Sequence, residues 1–268
     1  MKKHNEYSQE HILYLKKIKK RNVIITVLRF SILIVFLLLW EIFERVGIID
    51  GFLMSSPSRI LATIKDLHSS GDLYKHVGAT LYETLLGFFI ATLSGYAVAV
   101  ALWWSDGLKR VLEPYIVVLN SLPKIALGPI IIIWFGSGRK SIVFMTVLIT
   151  IIVTVINLLN GFLLTEKSKI LLLEAMGAKK IQILFNLVMP GSLPTLISTL
   201  KVNVGMAWIG SIMGEYLVSR EGIGYLIVYG GQAFKLDLVM ASTVILCVLA
   251  GAMYACIALI EKKLVTRH

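Results

Sequence analysis

LLLEAMGAKKIQILFNLVMPGSLP, Leu171–Pro194, is the stretch on which the reading of the whole chain turns. It is polar and amphipathic, whereas long apolar runs precede and follow it. Lys169 to Met176 predicts a short helix with an apolar face. Gly177 then suits a helix C-cap, where a left-handed backbone costs glycine little. Ile181, Leu184, Phe185 and Val188 recur at helical spacing, and Pro190 and Pro194 frame entry into the next apolar run. A helix–glycine–helix hairpin over 166–194, held by the membrane, makes a mechanical handle. A partner can grip its first helix in a groove, and movement passes to the span that follows. The same residues also suit an amphipathic loop resting on the bilayer, and physics alone weights the two equally.

Outside this hairpin the chain is written for lipid. It has 268 residues, is 57% hydrophobic and has a mean hydropathy of +0.80, with 16% Asp, Glu, Lys or Arg. Soluble domains carry about 25% charged residues. A membrane span needs ~20 mostly apolar residues. Six stretches qualify, near Val23–Phe43, Leu81–Trp104, Val111–Phe135, Ile142–Leu164, Leu193–Gly214 and Leu238–Ile260. Backbone amides in lipid must be bonded internally, so these are helices, and the runs are too uniformly apolar for barrel strands. The expected fold class is therefore an all-α membrane protein with six transmembrane helices. Residues 1–22 form a basic N-terminal segment on anionic headgroups, and 23–268 a single transmembrane domain. The first span reads as an uncleaved anchor, because EIFERVG and no small-x-small site follows Trp40.

The net charge of +11 does not point to nucleic acid. Its lysines and arginines flank spans, where they set orientation. With the N-terminus inside, the clusters at Lys16–Arg21, Lys167 and Lys169, Lys179 and Lys180, and Lys262 and Lys263 all fall on the cytoplasmic side. The other side holds fewer, which predicts both termini in the cytoplasm.

Between the first two spans, SSPSRILATIKDLHSSG predicts a short surface helix, with Ser56 as cap, Pro57 in the first turn and Gly71 at the end. Pro114, Pro123 and Pro129 punctuate the third span, which predicts either a broken helix lining a cavity or a simple kink for packing, weighted equally. In the fifth span Gly210 and Gly214 form a G-x-x-x-G pair, a candidate dimer face. The stretch YLVSREGIGYLIVYGGQAFKLD after Glu215 is too glycine-rich to span and predicts an outer loop or re-entrant turn. Cys247 and Cys256, nine positions apart on one helix, cannot bond and read as small packing residues.

Catalytic signatures are lacking. GSGRKS at Gly136–Ser141 does not have the spacing of a phosphate loop, and neither H-E-x-x-H nor G-x-S-x-G occurs. His4, His11, His68, His76 and His268 fall outside the six stretches, and the carboxylates are scattered along the chain. The sequence therefore predicts no enzyme, no metal site and no directly bound cofactor.

The hairpin resembles the "EAA" loop of ATP-binding-cassette importer permeases, E-A-A-x-x-x-G, nine residues, then I-x-L-P. Gly177 matches the glycine, and Leu187-Val188-Met189-Pro190 matches I-x-L-P at the right distance. Leu171, Leu172 and Leu173 replace E-A-A, and the acid, Glu174, sits one turn later. SPSRILATI, PKIALGPIIIIWFGSG and AWIGSIMGEYLVSREGIGYLI are similar to the nitrate/sulfonate/taurine subgroup.

The resemblance implies a type I importer permease that pairs with a second copy in the cell membrane. Two cytoplasmic ATPases hydrolyse ATP for it, and an extracytoplasmic binding protein delivers a small anion or a vitamin precursor. It implies an ATPase-docking role for Leu173, Glu174, Ala175, Met176, Gly177, Ala178, Lys179 and Pro190. Pro123, Lys124, Trp208 and Glu215 are the candidates for the translocation pathway. Lys124, Lys201 and Glu215 would each cost ~2.5–3.5 kcal/mol at the bilayer centre if lipid-facing, so each is expected to face protein or the interface. An ion-gradient-driven secondary transporter is the alternative; it should carry inverted repeats and paired broken helices, and the sequence offers one broken span and no repeat.

Overall fold

The structure, a computed structural model, describes residues 9–265. Lys2, Lys3 and His4 of the basic N-terminal segment, and Arg267 and His268 of the C-terminus, lie outside the described residues. Among the described residues every regular element is helical. The chain divides into two compact units, one up to Ala62 and the other from Thr63.

The first unit holds α1 (Gln9–Arg45), α2 (Gly51–Met54) and the start of α3 (Pro57–Ser70). Helix α1 runs without a break through Asn22 into the first span. Beyond Arg29 it is uncharged and mostly apolar as far as Trp40, with Phe30, Ile32 and Phe36 alike exposed, as suits a helix surrounded by lipid. Asp50 Oδ1 accepts the Phe52 N–H at 2.8 Å and caps α2. At the start of α3 the Ser58 N–H is accepted by Glu41 Oε2 of α1 at 3.0 Å, so an acid from another helix serves the first-turn amides.

The second unit is built on three long helices, α4 (Asp72–Trp104), α7 (Arg139–Leu163) and α11 (Leu193–Val218); α4 and α7 run parallel and α11 antiparallel to both. Helix α7 packs against both others, and small residues let the backbones close in. A Cβ at Gly210 would lie 2.5 Å from the Thr146 Cα, and one at Gly214 would lie 2.9 Å from the Ile142 Cα. The G-x-x-x-G pair is thus occupied within the chain by α7, and this corrects its reading as a dimer face. Polar bonds cross the same seams. Asn203 Nδ2 donates to Thr92 Oγ1 at 3.1 Å and to Thr154 Oγ1 at 2.9 Å, tying all three helices together. The Thr84 and Ser211 hydroxyls are bonded at 2.7 Å.

The third span is α5 (Asp106–Ser121) followed by a 3-10 turn, Lys124–Leu127, and α6 (Gly128–Phe135). The two parts meet at 87°. The break falls at Leu122-Pro123; Pro129 sits in the first turn of α6 and Pro114 lies inside α5. With this bent pair taken as one span, the described residues contain six helical segments long and apolar enough to cross a membrane.

Three short pieces follow α7: α8 (Lys167–Ala175), α9 (Lys180–Ile183) and α10 (Met189–Gly191). After α11 come α12 (Ile223–Gln232) and α13 (Leu236–Val265). Helix α12 corrects the expected outer loop. Its glycines fit close contact instead: a Cβ at Gly230 would lie 2.9 Å from the Val239 side chain of α13. Helix α4 also begins nine residues before the apolar run at Leu81, so His76, read from the sequence as outside the spans, is a buried residue of that helix. Cys247 and Cys256 are exposed on α13 rather than packed.

Candidate functional site

Gly177 organises the hairpin. Its φ of +82° lies in the left-handed region. The Ala178 N–H bonds the Leu173 carbonyl and the Gly177 N–H bonds the Glu174 carbonyl, both at 2.9 Å. These two bonds form a Schellman motif, in which the left-handed glycine lets the chain reverse and satisfies the last carbonyls of α8. Leu173 and Ala178 pack together onto the core cluster below, the apolar contact that accompanies the motif. Glu174, Ala175, Met176 and Lys179 are all exposed.

The second limb is built into the bundle. Gln182 Oε1 accepts the Lys179 N–H at 2.7 Å, which caps α9. Lys180 Nζ donates to the Trp104 carbonyl at the end of α4 at 2.6 Å and lies over the Trp103 and Trp104 rings. Ile183, Leu184 and Val188 are buried with Ala99 and Leu102 of α4 and Val155, Leu158 and Phe162 of α7. The face expected from the sequence therefore shifts: Leu184 and Val188 are inside, but Ile181 and Phe185 are exposed. The cause is a π-helical stretch, Leu184–Val188, which widens the turn just before Pro190, a residue without an N–H to continue the ladder. The first limb contrasts with the second. Leu171 is 68% exposed, Leu172 61% and Met176 75%, so three large apolar side chains stand free at one end of the bundle.

The pathway candidates lie in three settings. Pro123 and Lys124 occupy the α5–α6 break, where Lys124 Nζ donates to the Asn120 carbonyl at 3.2 Å. Trp208 is buried among Phe88, Val204, Ala207 and Ile257. Glu215 is 1% exposed at the end of the bundle away from the hairpin. Lys201 pairs with Glu261 of α13, which meets the cost of its place in a span.

Around Glu215 the fold gathers carboxylates that are scattered in sequence. Glu83 of α4 is equally buried, and its carboxyl lies within hydrogen-bond reach of the Glu215 carboxyl. Arg139 of α7 stands 3.9 Å from Glu83 Oε1 and 3.4 Å from Glu221 Oε2. The Lys75 ammonium, 3.2 Å from Glu221, holds that exposed carboxyl below the usual carboxylate range. Glu83, Arg139, Ser219 and Glu221 help line a cavity of about 350 Å³. Among the described residues no group of three or more His, Cys, Asp or Glu side chains could hold a metal ion. Glu83 escaped the sequence reading because it lies two residues inside an apolar run; a lone acid in such a run is the signal that could have found it.

The described residues thus form a bundle of membrane-length helices with a capped hairpin at one end. Residues 84–267 match the family described as "Binding-protein-dependent transport system inner membrane component", and the chain belongs to it. It is the permease subunit of an ABC importer, a multi-pass membrane protein that moves a solute with the help of a binding protein. The chain is 33% identical to the formylaminopyrimidine transport permease protein ThiX of Halalkalibacterium halodurans, over 70% of this chain and 75% of that protein. It is 25% identical to the putative aliphatic sulfonates transport permease protein SsuC of Bacillus subtilis, over 86% of this chain and 83% of that one. Its fold is similar to a chain of the MetNI methionine ABC transporter in inward-facing conformations, with a TM-score of 0.63, 20% identity and coverage of 70% of this chain and 94% of that chain. Membership of this family sets aside the gradient-driven alternative.

Proposed function

We propose that the hairpin 166–194 is the surface by which cytoplasmic ATPase subunits drive this permease. The observation that carries the reading is the contrast between its limbs. The exposed α8, with Leu171, Leu172 and Met176, is free to enter a groove, while the second limb is buried against α4 and α7 and runs into α11. A force on α8 therefore reaches three spans. Leu173, Gly177 and Ala178 hold the hairpin's shape, Glu174 and Lys179 offer charges to the partner, and Pro190 fixes the entry to α11.

In this reading two copies of the chain form the pore and two ATPases hydrolyse ATP on the cytoplasmic side. A binding protein delivers solute to the opposite face, and both termini lie in the cytoplasm of a cell whose plasma membrane holds the complex. Closure of the ATPase pair moves the hairpins together and turns the bundle between inward and outward openings, a hinge motion of packed elements. Pro123, Lys124, Trp208 and Glu215 are the residues proposed to border the path. The solute is proposed to be a small sulfonate-like anion or a pyrimidine-type vitamin precursor, following the relatives.

The test is purification in gentle detergent with identification of what co-purifies, beside a Gly177→Pro, Lys179→Glu variant. A stoichiometric ATPase with the native chain, lost in the variant, is the expected result. An ATPase retained equally by both would remove the docking role from the hairpin.

A further inference from the structure

Glu83 and Glu215 present an accounting problem that their neighbours do not solve. Glu215 Oε2 accepts the Gly224 N–H at 2.6 Å, and the Tyr225 amide lies beside the same carboxyl. Glu215 Oε1 and Glu83 Oε2 are both buried, and among the described residues neither has a hydrogen-bond partner. Buried polar atoms are nearly always paired, so each orphan needs an explanation. The two carboxyl groups themselves are within hydrogen-bond reach. Two ionised carboxylates cannot share such a place, whereas a single proton shared between the two groups removes one charge and bonds them to each other.

The surrounding groups leave that role open. Arg139, on α7, approaches Glu83 Oε1 only to 3.9 Å, beyond hydrogen-bond distance, and its mostly exposed guanidinium is turned also to Glu221. Lys75 is paired with Glu221. His76 accepts the Gly222 N–H on Nδ1 at 2.9 Å, so that nitrogen carries no proton and the ring brings no positive charge. The Thr80 hydroxyl accepts the Ile223 N–H at 2.8 Å, and its single proton has two acceptors within reach, the His76 carbonyl at 3.2 Å and the Glu215 carboxyl.

We propose that Glu83 and Glu215 form a proton-binding site, in which one proton shared between the two carboxyl groups joins α4 to α11 inside the bundle. The site is built for close contact. A Cβ at Gly222, where φ is +112°, would lie 2.4 Å from the Glu215 carboxyl, and one at Gly224 would lie 2.8 Å from it. The proton thereby also fixes the 219–224 turn against α4. Its loss leaves two like charges facing each other and loosens that turn, so the closed arrangement of this end of the bundle weakens as pH rises. The inference stands whether or not the hairpin binds an ATPase.

Infrared spectroscopy of the purified protein in lipid tests it. At neutral pH the chain should show the carbonyl band of a protonated carboxyl, shifted in heavy water and shifted again by isotope-labelled glutamate. The band should be lost in a Glu83→Gln, Glu215→Gln variant. If that variant fails to fold, the glutamate label on the native chain still decides whether a protonated glutamate exists. Absence of the band from the native chain, or its survival in the variant, overturns the proposal. A band that emerges only when sodium is withdrawn also overturns it, because the pair then holds a metal cation.

Discussion

Single residues set this fold where helices come closest. Gly210 faces the backbone of Thr146, and backbone cannot move aside as a flexible side chain can. Gly210→Leu is therefore expected to destabilise the α7–α11 contact by about 3 kcal/mol or more, since overpacking alone costs roughly 1–3 kcal/mol. The drop should appear as early thermal aggregation in detergent, and a native melting profile would show that the helices can part without cost. Lys124 tests chemistry instead of packing. It stands at the α5–α6 break, where its ammonium donates to the Asn120 carbonyl. Lys124→Ala should slow solute uptake while the subunits still assemble, and unchanged uptake would remove it from the path.

Among the elements, the two limbs of the hairpin are expected to fail in different ways. Leu171→Glu with Leu172→Glu alters only exposed positions of α8. The folded bundle should survive, and co-purification of the ATPase and uptake should be lost. Leu184→Ala removes a side chain 2% exposed in the core shared with α4 and α7. Such a truncation costs about 2–5 kcal/mol, so this variant should show lower thermal stability before any loss of partner. Identical behaviour of the two variants, seen by size-exclusion profile and ATPase recovery, would mean the limbs are not divided in this way. The π-helical stretch shows how much an element depends on one residue. Pro190 interrupts the ladder, the turn before it widens, and the buried face rotates from Ile181 and Phe185 towards Ile183.

At the scale of the whole molecule, uptake should stop when ATP is depleted and persist when a protonophore abolishes the ion gradient with ATP maintained. Transport assays in membrane vesicles would show it, and the reverse pattern would contradict the assignment to an ATP-driven importer.

The amino-acid order by itself determined the helical class, the positions of the spans, the irregularity near Pro123 and the reversal at Gly177. Each depends on local properties: apolar length against bilayer thickness, a missing N–H, and the freedom of glycine at positive φ. Tertiary structure alone decided what Gly210 and Gly214 touch, which limb of the hairpin is buried, and that Glu83 meets Glu215 from a helix more than a hundred residues away. No local pattern encodes those pairings. They follow from how α4, α7 and α11 pack, and a lone acid gains its meaning only from the neighbour that packing gives it.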